Sequence, residues 1–115
     1  MKKLEVITRP DSLEKLKILL NSHAVGGITV TSVMGCGIQK GDVTGELKGL
    51  KIPGMNLIPK IMAVIVVEDD AAGEILNLLH EELAIGKVGD GKVFVSDVAD
   101  AMRIRTGERG AKALK

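Results

Sequence analysis

The chain has 115 residues and almost no aromatic side chains: one Phe, no Tyr and no Trp. An RNA-binding sheet that stacks bases on aromatic rings cannot be built from it, nor can a purine be sandwiched between rings of one subunit. Modification on tyrosine is excluded outright. A single cysteine, Cys36, excludes an internal disulfide and fits a reducing compartment. Charge of one sign is also missing: 16 basic against 15 acidic residues give +1, so no electrostatic footprint of a nucleic-acid binder is present. No apolar run reaches the length of a membrane span, and the start Met1-Lys2-Lys3-Leu4-Glu5 has no apolar signal region. The expectation is a cytoplasmic protein with no direct membrane insertion. Hydrophobic residues make up 45% and charged residues 27%, the balance of one globular domain with an aliphatic core.

Hydrophobic periodicity supplies the elements. Leu4 to Thr8 is a β-branched run that stops before Arg9-Pro10. Asp11 and Ser12 are suited to cap a helix on which Leu13, Leu16, Leu19 and Leu20 recur at helical spacing. Gly26-Gly27 closes that unit. Ile28 to Met34 alternates as a strand, and Lys60 to Glu68 is apolar enough for a central strand. Asp69 and Asp70 are expected to cap a second helix with Ile75, Leu78, Leu79 and Leu83 on one face, ended by Gly86. Lys92 to Val98 reads as a strand, and Arg103-Ile104-Arg105 as a short extended piece. The order β-α-β, gap, β-α-β defines an α+β, ferredoxin-like βαββαβ sandwich in a single domain over 1–115.

Three segments could carry chemistry. Gly86-Lys87-Val88-Gly89-Asp90-Gly91-Lys92 precedes the last strand. Its glycines let backbone N–H groups approach a ligand, and successive N–H groups form an anion-binding nest beside two lysines. That fits a polyphosphate; a plain glycine-rich connection with incidental lysines fits the spacing equally. No helix follows the loop, so it is not a P-loop. On a strand, Arg103 and Arg105 project to one side and could grip phosphate oxygens, or could simply protect a sheet edge. Gly35-Cys36-Gly37-Ile38-Gln39-Lys40-Gly41 stands at the stem of the gap, which runs from Gly35 to Pro59 with six glycines. A structureless loop of that length in a small domain is uncommon and usually functional. No nucleophile–base pair, paired carboxylates or metal-ligand spacing stands out, so no catalytic residue and no intrinsic metal site is assigned.

Taken together, Gly86 to Asp97 (GKVGDGKVFVSD), Met102 to Glu108 (MRIRTGE), Ile28-Thr29-Val30-Thr31, Gly35 to Gly41 and the Lys2-Lys3 start resemble the PII family of nitrogen-signalling proteins. The likeness spans nearly the whole chain. It implies a homotrimer that binds ATP or ADP in clefts between subunits. Gly89, Asp90, Gly91 and Lys92 match the phosphate-binding turn, Arg103 and Arg105 the phosphate-binding arginines, and Gly35, Gly37 and Gln39 the loop base. Ile7, Thr29 and Val66 match the adenine pocket. Gln39 and Lys60 match residues that serve Mg²⁺ and 2-oxoglutarate in many members. The gap would be the family's T-loop, about 37–59, and about 106–115 the C-terminal tail. Through Leu47, Lys48, Leu50, Lys51, Ile52 and Met55 the loop would meet a partner: a membrane transporter, whether an ammonium channel or another, or a metabolic enzyme. The T-loop here lacks the family's tip tyrosine, and Ile38 and Ile85 replace a basic and a small hydroxyl residue common in the family. The implied protein is a non-enzymatic regulator. The alternative is a structural or metal-tolerance trimer of the same fold without nucleotide sensing.

Overall fold

The computed structural model describes residues 1–23, 25–36 and 57–115, together with the backbone pairing of 46–47 with 50–51. Strand β1 (Lys2–Thr8) leads through a 3₁₀ turn (Pro10–Ser12) into α1 (Leu13–Ser22). Strand β2 (Thr29–Gly35) follows, then the two short strands β3 (Glu46–Leu47) and β4 (Leu50–Lys51), which pair with each other. Strand β5 (Ile58–Val67), α2 (Asp69–Leu83) and β6 (Gly91–Asp97) complete the sandwich, and a second 3₁₀ segment (Gly110–Leu114) ends the chain.

The main sheet has the order β2-β5-β1-β6, antiparallel throughout. Strands β1 and β5 take the centre, and they are the strands with alternately buried residues. Leu4, Val6 and Thr8 of β1 alternate inward with Ile61, Ala63, Ile65 and Val67 of β5. Leu16, Leu19 and Leu20 of α1 and Ala72, Ile75, Leu79 and Leu83 of α2 cover that face. With no aromatic ring among these positions, branched aliphatic side chains do the filling. Among the described residues the opposite face carries no helix. Ile7, Val33, Met62, Val64 and Val66 lie there half-buried, beside an exposed Phe94. By register Lys3, Glu5, Thr29, Thr31, Lys60, Lys92 and Ser96 share that face, so it is mixed, with its apolar residues concentrated on β5.

Two helix starts differ from expectation. Neither Asp11 nor Ser12 caps α1 through its side chain. Arg9 draws both away: its Nε donates to Asp11 Oδ1 at 3.1 Å and its Nη2 to Ser12 Oγ at 3.3 Å. Glu68, not Asp69, is the residue before the first turn of α2, and it makes no side-chain cap bond. Asp69 and Asp70 instead sit inside that turn, where negative charge favours the positive end of the helix dipole. The helix ends at Leu83, before Gly86.

Candidate functional site

The glycine-rich loop between α2 and β6 is organised around its own carboxylate. Asp90 Oδ2 accepts from the backbone N–H groups of Ile85 (3.0 Å), Gly86 (3.0 Å) and Lys87 (3.3 Å). Asp90 Oδ1 pairs with the Arg9 guanidinium. Two donors of the expected nest, on Gly86 and Lys87, and that of Ile85 just before it are thus filled from within the chain. Burial pushes the Asp90 carboxyl upward, but the N–H donors of Ile85, Lys87 and Gly86 and the charge of Arg9 outweigh it and hold the group below the usual carboxylate range. The Asp90 side chain is therefore engaged inside the loop. An anion approaching it would also meet like charge.

The rest of the loop is differently disposed. The carbonyls of Gly89 and Asp90 are both taken, by Lys60 Nζ at 2.9 Å and by Thr8 Oγ1 at 2.8 Å. The N–H groups of Val88 and Gly89 have no partner among the described residues. Gly86, Gly89 and Gly91 all have positive φ, at 76°, 100° and 116°, so the loop's path depends on residues without a Cβ. Lys87 and Lys92 are exposed. Lys92 pairs with Ile7 across the β1–β6 ladder, which puts both on the helix-free face. Lys60 ties this end of the sheet to the stem of the long gap: its aliphatic stem lies 3.5 Å from the place a Cβ would take on Gly35.

Gly35, Lys60, Gly89, Gly91, Lys92 and Ile7 are consequently brought to one end of the sheet. Thr29 and Val66 are not. Val66 pairs with Lys3 while Ile7 pairs with Met62, four positions along the same ladder, or roughly 13 Å at strand rise. Thr29, opposite Val64, lies midway between the Met62 and Val66 positions of β5 and at the far end of β2 from Gly35. Gly37, Gln39, Lys48, Ile52 and Met55 fall outside the described residues, as do the side chains of Leu47, Leu50 and Lys51.

Arg103 and Arg105 need a correction. They do not form a strand. Residues 104–106 make a turn in which the Gly107 N–H donates to the Arg103 carbonyl at 2.8 Å and the Arg103 N–H to the Glu108 carbonyl at 2.9 Å. An antiparallel bridge between Met102 and Arg109 closes the structure. The tight turn wins because Gly107, at φ 73°, supplies the left-handed residue it requires. Arg103 is half-buried and pairs with Glu108 at 3.2 Å; Arg105 is exposed. This hairpin follows the Asp97 end of β6, whereas the glycine-rich loop precedes its Gly91 end. Six residues of strand separate those ends, about 20 Å. Among the described residues no hydrogen bond or ion pair joins the hairpin to the loop.

Arg9 is the residue that reading the sequence missed. It stands one position past β1, and the loop opens the antiparallel neighbour β6, so the pairing of these strands is what sets Arg9 beside Asp90. A lone acid in Gly-Asp-Gly-Lys was the available signal.

Acid should loosen this architecture. Asp90 is joined by Asp97, whose hydrogen bond from Lys2 lowers its carboxyl, and by Asp100, lowered first by its bond from Arg109. Groups with depressed folded values contribute stability that is complete above the unfolded value, about 3.9, and lost as pH falls through the folded value. The denaturation midpoint should stay level from neutral pH down to about 5 and fall steeply below about 4. In Asp90→Asn part of that acid loss should be gone; an unchanged acid profile would deny the loop carboxylate its role.

The class of structure is thus a ferredoxin-like sandwich with a glycine-rich loop at one sheet end and a paired-arginine hairpin at the other. The family model described as nitrogen regulatory protein P-II matches residues 1–108. Nitrogen regulatory protein P-II of Porphyra purpurea is 40% identical over 114 residues, covering 99% of this chain and all of the relative. Nitrogen regulatory protein GlnK of Escherichia coli K12 is 38% identical over the same span and coverage. A solved structure of the Bacillus subtilis GlnK–ATP complex is similar with a TM-score of 0.80 and 34% identity, over 98% of this chain and 96% of that one. The chain belongs to the nitrogen regulatory protein P-II family, whose members act in signal transduction.

Proposed function

We propose that the chain senses adenine nucleotides, ATP or ADP, as a homotrimer, and reports the bound state to a partner through the T-loop at about 37–59, without catalysing a reaction. One observation carries this reading: the phosphate-competent elements lie at opposite ends of β6 in one chain. A single site that uses both needs the Gly89–Lys92 end of one subunit and the Arg103–Arg105 end of another. A cyclic assembly supplies that relation, because each interface of a ring joins two different patches. The half-buried Ile7, Val33, Met62, Val64 and Val66 of the helix-free face offer apolar surface to bury, and the similar Bacillus subtilis protein is known as an ATP complex.

In this reading Val88 and Gly89 donate N–H groups to the phosphates, Gly91 lets the backbone come close, and Lys92 with the neighbour's Arg103 and Arg105 neutralises charge. The base lies against the apolar positions, Ile7 of one subunit and Thr29 and Val66 in the interface. Gly35, Gly37 and Gln39 link the site to the T-loop stem. Lys60, already beside Gly89 and Gly35, is fitted to receive a carboxylate of 2-oxoglutarate, with Gln39 serving Mg²⁺. A ligand shifts the T-loop only by its differential affinity for two loop states, and ATP and ADP differ in the charge they bring to this end of the sheet. Leu47, Lys48, Leu50, Lys51, Ile52 and Met55 are the proposed contacts to a transporter or a metabolic enzyme in nitrogen control, in the cytoplasm. Among the described residues no helix is long and apolar enough to cross a membrane.

Titration calorimetry on the purified trimer should detect ATP and ADP with up to one site per subunit. Absence of heat and of any nucleotide-dependent change, with the protein folded, would remove the nucleotide reading.

A further inference from the structure

Arg9 reaches three parts of the fold at once. Its guanidinium pairs with Asp90, bonds Asp11 at 3.1 Å and Ser12 at 3.3 Å in the 3₁₀ turn, and donates to the Leu83 carbonyl at 3.4 Å, the last residue of α2. Both ends of the glycine-rich loop are thereby referred to one side chain: the end of α2 that feeds it and the Asp90 that closes it. Arg9 is only a quarter exposed and Asp90 about a fifth, so the pair sits where solvent screens it less than at a free surface. The Asp90 carboxylate then collects three backbone donors in a row, Ile85 to Lys87. Beyond them, the N–H groups of Val88 and Gly89 have no partner among the described residues. A loop of this composition, free of its carboxylate, would spread its donors over many conformations.

We propose that Arg9 and Asp90 are positioning residues of the phosphate loop: Arg9 anchors Asp90, whose carboxylate acts as a built-in anion that consumes the first three N–H groups and holds the next two, on Val88 and Gly89, ready for the nucleotide phosphates. This rests on the nucleotide reading of the loop. Neither side chain touches the ligand. The loop is organised before the ligand arrives, so binding does not bear the full entropic cost of ordering it.

Three full-length variants test it: Asp90→Asn, Arg9→Met and Arg9→Lys, each read by ATP calorimetry and by amide hydrogen exchange at single-residue resolution. In Asp90→Asn and Arg9→Met, exchange at Ile85, Gly86 and Lys87 should rise at least about tenfold, and ATP affinity should fall by about tenfold or more. Amides of β5 should exchange as in the native protein, which separates a loop effect from general destabilisation. Arg9→Lys keeps the charge and a donor and should recover most of the affinity; a merely space-filling arginine would be served as well by methionine. ATP binding within twofold of native in both Asp90→Asn and Arg9→Met, with exchange at 85–87 raised, would overturn this proposal and leave the nucleotide reading standing. Unchanged exchange at 85–87 would overturn it as well. Failure of the native protein itself to bind ATP would instead overturn the functional reading on which it stands.

Discussion

Gly91→Ala should unfold one end of the sheet and cost roughly 3 kcal/mol or more. Gly91 has φ 116°, a region L-residues rarely adopt, and a Cβ there would lie 2.0 Å from the Ile7 carbonyl oxygen and 2.9 Å from the Thr8 Cα. The obstacle is backbone, not a side chain that can rotate away. Relief requires pulling β6 from β1, and β1 is held on its other edge by β5. The same movement takes Lys92 away from Ile7 and breaks the Thr8 bond to the Asp90 carbonyl. Stability and nucleotide binding should therefore fall together. Gly86→Ala is the fitting control: φ is 76°, but nothing lies within 4 Å of the added Cβ, so about 1 kcal/mol is expected from the backbone alone. Urea denaturation of both variants measures the contrast. Equal midpoints would mean that the close approach at Gly91 is not a constraint of the fold.

Lys92→Ala and Arg103→Ala should each weaken ATP binding by about 100-fold, since each removes a charged donor from a desolvated polyphosphate. Neither should cost much stability. Lys92 is exposed, and the Arg103–Glu108 pair is a partly exposed ion pair, worth about 0–1 kcal/mol. Calorimetry together with thermal unfolding separates loss of a ligand contact from loss of fold. A variant that unfolds like the native protein yet binds ATP as tightly would take its residue out of the site.

Much of this architecture was legible in the sequence because it rests on period. The leucines of α1, the alternation in β1 and β2 and the apolar run of β5 each carry a local pattern that the core then uses. Long-range events were not legible. The capping roles assigned to Asp11 and Ser12 failed because Arg9 competes for both side chains. The loop at Gly86–Lys92 stood out by its glycines, but that the Asp90 carboxylate takes the N–H groups of Ile85, Gly86 and Lys87, itself paired with an arginine 81 positions away, was not legible. The paired arginines looked like a strand because Arg-Ile-Arg alternates; Gly107 and the pairing of Met102 with Arg109 turn them into a hairpin. The separation of Ile7 from Val66 follows only once strand register is known. The stem residues Gly37 and Gln39 and most of the partner-facing positions lie outside the described residues.

The central claim is that each nucleotide site takes its loop from one subunit and its arginines from the next. Mixed trimers of Lys92→Ala and Arg103→Ala subunits test it most directly, by ATP titration after the two are unfolded and refolded together. In a ring containing both kinds, one interface joins an intact loop to an intact arginine pair. The account predicts that each variant alone binds ATP weakly, while the mixture regains native-affinity sites, at most one per mixed trimer. A mixture that binds no better than either parent, with mixed trimers shown to form, would place loop and arginines within one chain and contradict it.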